Sequence, residues 1–157
     1  FVVTERDVDF AWIFYGWTGI EAGLRGEPLD IVMLRDWDQC VPDYYTPVLI
    51  TSESEIAAKP DLVERFMAAT ARGYEYAIAS PTEAAEILIN YAPESDPELI
   101  RASQAWLSQE YQADAPRWGE QALSTWQRYA DWMYEQGLLE ATIDGAKAFS
   151  NAFFLVD

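Results

Sequence analysis

Five aromatic side chains fall within residues 10–17: Phe10, Trp12, Phe14, Tyr15 and Trp17. Gly16 and Gly19 break up the run, and a carboxylate, Glu21, follows it. A second aromatic group, Asp43-Tyr44-Tyr45, lies further along. Ring faces beside a few polar groups are what a flat heteroaromatic small molecule requires of a binding cleft. A ring stacks on the ligand face, and a carboxylate accepts from an exocyclic amine. The same residues also fit a plainer arrangement, a buried strand entering a helix, in which the aromatics serve a core.

Composition narrows the chemistry. The chain has 157 residues, half of them apolar and 15% aromatic, so it carries enough apolar side chain for a core. Its net charge of −17 argues against nucleic acid and anionic lipid as partners, because each phosphate contact needs Lys or Arg. Only Lys59 and Lys147 are lysines. There is no histidine, so a Ser-His-Asp triad, a Cys-His pair or a His-ligated zinc site cannot be built from these residues. The single cysteine, Cys40, has no internal disulfide partner and reads either as a semi-exposed thiol in a loop-like stretch or as a small core residue, the core being the commoner place for a free cysteine. No cofactor and no metal site is indicated. Glu94 and Asp96 lack the ligand spacing and loop glycine of a calcium loop. No apolar run is long enough to span a membrane.

The elements that must position the aromatic groups follow from periodicity. Residues 10–15 and 29–34 are short apolar runs rich in β-branched and aromatic side chains, and read as strands. Between them Trp17, Ile20 and Leu24 have helical spacing, stopped at Gly26 and Pro28. That is a strand-helix-strand pattern. A third strand is expected at Thr46–Thr51, with Pro47 near its start. After Ser52 the pattern is helical. Ser52 and Glu55 have capping-box spacing. A long amphipathic helix is predicted over Asp61–Ala79, with Leu62, Phe66, Thr70, Tyr74 and Ile78 along one face. Further helices are predicted to open at Ser80-Pro81 and Asp96-Pro97, and another runs from about Gly119 to Gln136, with Gly137 as its C-cap. Residues 1–10 read as the end of a preceding helix.

The blocks VDFAWIFYGWTGIEA, DYYTPVLITSESEIAAKPDLVERFMAATARGYEYAIASPTEAAEIL, WGEQALSTWQRYADWMYEQGLL and AFSNAFFL resemble the C-terminal part of bacterial ABC-transporter substrate-binding proteins. The family is that of the thiamine-pyrimidine-precursor receptors (thiamine pyrimidine synthase-like), with riboflavin receptors and fungal pyrimidine synthases among its relatives. Near the end the family usually reads FTNEFL, so its acidic position is Ala152 here. The resemblance implies an α/β chain with a partial periplasmic-binding-protein type II fold. Short strands come at the start, a mostly helical part follows, and the first lobe is missing. Residues 1–51 would supply part of the second lobe and its crossing strand, and 52–157 the helical part. The family's ligand-binding positions match Tyr15, Gly16, Trp17 and Glu21, and Asp43, Tyr44 and Tyr45 join them as candidates.

The function implied is capture of a thiamine-pyrimidine-like heteroaromatic for a permease, without catalysis, in the periplasm or on the outer face of the membrane as a lipoprotein. Stacking contributes about 0.5–1.5 kcal/mol beyond buried area, and a hydrogen bond to a charged Glu about 1.5–3 kcal/mol. Micromolar binding needs about 8 kcal/mol, so other contacts must add to these. One alternative is a truncated piece or helical interaction module that binds no small molecule. Another is a pyrimidine synthase, whose histidine and cofactor-holding lysine have no matching position here. Surface left by a missing lobe would favour self-association.

Overall fold

The structure is a computed structural model and describes residues 9–154. Its regular elements are helices. A π-helical turn, Tyr15–Gly19, runs directly into α1, Ile20–Leu24. After a 3-10 turn at Leu34–Trp37 come α2 (Glu53–Ala58), α3 (Pro60–Ala79), α4 (Pro81–Tyr91), α5 (Pro97–Glu110) and α6 (Leu123–Glu135). Short 3-10 turns at Gly145–Lys147 and Ala152–Phe154 follow. The reading of residues 1–10 as a helix end falls mostly outside the described residues.

Local chemistry sets the helix ends. The Ser52 hydroxyl accepts the Glu55 N–H at 3.1 Å, which satisfies one of the free donors of α2. Asp96 accepts the Glu98 N–H at 2.8 Å at the start of α5, just before Pro97. Gly137, with φ of +70°, ends α6: its N–H reaches Tyr134 O and the Leu138 N–H reaches Met133 O, a Schellman pair that few residues but glycine permit. Gly119 also has a positive φ and cannot sit inside a helix, so α6 begins at Leu123 and not near Gly119 as expected.

The expected strands at 10–15, 29–34 and Thr46–Thr51 are corrected by the structure: no strand forms among the described residues. Extended backbone gains stability only from a paired ladder, and these runs have no ladder partner there. Pro47 removes one of the N–H donors that a ladder would use. The runs stay open: Phe10 is 91% exposed and Ile50 89% exposed. The strand-helix-strand expectation is therefore reduced to its helix, while the helical reading after Ser52 agrees with α2 to α6. Of the two places open to Cys40, the structure gives the exposed one.

The chain divides into two compact units, residues 1–31 with 73–113 and residues 32–72 with 114–157. In the first, α4 packs on α5, and the π turn and α1 pack on α5. Its core holds Ala22, Ala85, Leu99 and Ile100. Three polar side chains of α5, Ser103, Gln104 and Ser108, are buried there, and each has a partner. Ser103 donates to Gly16 O, Gln104 to Ala77 O at 2.9 Å, and Ser108 to Ala105 O at 3.0 Å. In the second unit α6 packs on the 3-10 turn at Gly145–Lys147, where the Gly145 N–H donates to the Gln127 side chain at 2.9 Å. The α3 face predicted to point inward is only partly covered, since Leu62 and Phe66 remain exposed.

Candidate functional site

The seven candidate residues fall into two groups, one in each unit. In the first unit, Gly16 and Gly19 shape the π turn. A Cβ on Gly16 would lie 2.6 Å from Leu107 Cδ2 and 3.0 Å from Trp106 Cζ3, so only glycine lets this turn approach α5 so closely. A Cβ on Gly19 would lie 2.5 Å from the Tyr15 ring. Tyr15 thus folds over its own turn and meets Trp106 at 5.1 Å between ring centroids and 59° between planes. Trp17 points more to water and is 40% exposed. Glu21 opens α1 and pairs with Arg25 one turn on, an i,i+4 pair that its spacing alone could have revealed. Gly16 is buried, so what it offers is close packing and a carbonyl already taken by Ser103.

In the second unit, Asp43 is exposed, and its backbone N–H donates to Asp38 Oδ1 at 3.1 Å. Tyr44 stacks on Tyr129 of α6, with centroids 4.7 Å apart and planes 24° apart. Burial, and then the neighbouring Tyr129 and Asp43, push the Tyr44 hydroxyl above its ordinary pKa, so it stays a neutral donor. The Tyr45 hydroxyl accepts the Ala122 N–H at 2.8 Å, which ties it to the start of α6. Its ring leans on Trp126 at 6.1 Å, and Trp126 in turn stacks on Phe149 at 6.0 Å with 5° between planes. Tyr129 continues the array to Trp132 at 5.6 Å.

Hydrogen bonds fix this array. Trp126 Nε1 donates to Gln121 Oε1 at 2.7 Å. The Asn151 side chain accepts from the Gln121 N–H and donates to its carbonyl, at 3.1 and 2.8 Å. Arg128 donates to the Asp38 carboxylate and, at 3.0 Å, to the Asp38 carbonyl. That guanidinium holds the Asp38 carboxyl below the usual range, with help from the Asp43 N–H. A cavity of about 70 Å³ lies among Tyr44, Tyr45, Thr125, Trp126 and Tyr129. The last three are not among the sequence-predicted site residues. The i,i+3 spacing of Trp126 and Tyr129 puts those two on one helix face, but their meeting with residues some eighty positions earlier has no local signature.

No group of three or more His, Cys, Asp or Glu side chains among the described residues could hold a metal. No described helix is long and apolar enough to cross a membrane. Each candidate group offers ring faces with scattered donors and acceptors, side chains of the kind that can hold a flat molecule.

Residues 2–84, just over half of the chain, match the family described as NMT1/THI5 like. The chain belongs to the NMT1/THI5-like family. Among curated proteins, it is 26% identical over 132 residues to the formylaminopyrimidine-binding protein of Halalkalibacterium halodurans, covering 82% of this chain and 40% of that protein. It is 29% identical over 143 residues to the riboflavin-binding protein RibY of Chloroflexus aurantiacus, covering 83% of this chain and 38% of that protein. Both relatives are named for binding a small molecule, not for a reaction. The chain spans about two fifths of the length of each. The NMT1/THI5-like match includes the segments that carry Tyr15, Trp17, Glu21, Tyr44 and Tyr45, but ends before α6.

Proposed function

We propose that this chain is part of a solute-binding protein that captures a thiamine-pyrimidine-like heteroaromatic molecule and delivers it to an ABC permease. The carrying observation is that two relatives named for different flat heteroaromatic ligands each match more than four fifths of this chain. In this reading the remainder of a two-lobed α/β receptor lies outside these residues, and the protein works outside the cytoplasmic membrane, held there by a lipid anchor. It is a receptor and not an enzyme. Tyr15 and Trp17 offer ring faces, Gly16 the close turn, and Glu21 a carboxylate acceptor. In the second unit, taken by itself, Asp43, Tyr44 and Tyr45 are candidate contacts of their own.

The test is calorimetric titration of the complete protein with formylaminopyrimidine. Trp17→Ala and Glu21→Gln are each expected to weaken binding about tenfold or more, the loss expected for a stacking face and a charged acceptor. Unchanged affinity in both variants removes the assignment of these residues. No binding by the unaltered protein removes the function.

A further inference from the structure

One face of α5 holds the π turn Tyr15–Gly19. Ser103, Trp106 and Leu107 stand at i, i+3 and i+4 along that helix, so they share a face. The Ser103 hydroxyl donates to Gly16 O, the Trp106 ring meets Tyr15, and Leu107 fills the space over Gly16. In a regular α-helix the Ile20 N–H would reach Gly16 O, four residues back. Here it reaches Tyr15 O and Trp17 O instead, and the buried Gly16 carbonyl takes a donor from Ser103. Ser103 is itself only 3% exposed, so bulk water does not compete for this bond. Single π turns are rare and recur at functional sites. This one carries two of the candidate rings. Tyr15 is committed to Trp106, while Trp17 is 40% exposed and has a ring face to offer. Without the Ser103 hydroxyl the Gly16 carbonyl is left to the Ile20 N–H. That bond tightens the turn to α geometry and rotates Trp17 relative to Glu21.

We infer that Ser103 is a positioning residue for ligand capture: it holds the π turn open and so sets the direction of the Trp17 ring. This role rests on the solute-receptor reading and deepens it. It gives α5, which lies beyond the family match, a part in presenting the site.

The experiment titrates the complete protein with formylaminopyrimidine and follows the melting temperature of every variant. Ser103→Ala is expected to weaken binding about fivefold, the loss of one hydrogen bond's worth of preorganisation. Ser108→Ala removes the same group from the same helix, where it bonds only Ala105 O, and is expected to stay within twofold. A residue that acts through Trp17 has nothing left to position once that ring is gone. The double variant Ser103→Ala with Trp17→Ala is therefore expected to bind within twofold of Trp17→Ala alone. A merely structural role would lower the melting temperature and leave this non-additivity absent. If Ser103→Ala does not fold, Ser103→Cys, similar in size with a weaker donor, carries the same cycle with a smaller loss. Should Trp17→Ala weaken binding while Ser103→Ala stays within twofold of the unaltered protein, the positioning role is overturned and the receptor reading stands. Losses that add in the double variant overturn the role in the same way. No binding by the unaltered protein overturns both.

Discussion

Gly16 shows how one residue can carry two readings. The sequence places it in a ligand-binding segment, and the structure gives it a packing reason, with Leu107 and Trp106 where a side chain would go. Gly16→Ala forces the Leu107 side chain and the Trp106 ring to shift. It is expected to destabilise the first unit by about 1–3 kcal/mol, the usual cost of overpacking a close contact. Denaturant unfolding of Gly16→Ala beside the unaltered chain measures it, and an unchanged midpoint means that the turn does not press on α5. The aromatic identities of the site were legible because ring type and local spacing suffice to suggest stacking. Their pairings were not: Tyr44 meets Tyr129 and Tyr45 meets Trp126 across most of the second unit's sequence, and no short-range pattern encodes such a contact.

At the scale of elements, the helices were legible because their signals are local. Ser52, Asp96 and Gly137 each satisfy backbone groups within a few residues of themselves. Strands depend on partners elsewhere, so the β-branched run at Thr46–Thr51 had the composition of a strand without the ladder. The segment carrying Asp43 to Tyr45 is instead pinned to α6, by Tyr45 on Ala122 and by Arg128 on Asp38. The Asp38 carboxyl is depressed first by the Arg128 hydrogen bond. A depressed folded-state value means that the folded chain holds the anion more firmly than the unfolded chain does. The pin's contribution is therefore present above the ordinary carboxylate range, near about pH 4, and fades as pH falls through the lower folded value. The stability gap between the unaltered chain and Asp38→Asn should shrink between pH 7 and pH 3 in denaturant titrations. A gap that stays constant or widens on acidification contradicts the pin.

For the whole molecule, apolar exposure and charge act against each other. Phe10, Trp12, Phe14, Leu49 and Ile50 are exposed, as are Leu62, Phe66 and Tyr91. Open apolar surface of this kind favours association, while a net charge of −17 opposes it by mutual repulsion. Salt screens the repulsion and leaves apolar attraction intact. Residues 1–157 alone are therefore expected to self-associate with rising concentration, and more strongly at high salt. A constant monomer mass in light scattering across concentration and salt argues against this. The receptor reading itself rests on whether a flat heterocycle is held by these aromatic faces. Titration calorimetry of the complete protein with formylaminopyrimidine, comparing the unaltered chain with Trp17→Ala, tests that most directly. Saturable binding in the micromolar range or tighter, weakened about tenfold by the substitution, is the result this account predicts; the absence of any binding heat or of any saturable signal from the unaltered protein would contradict it.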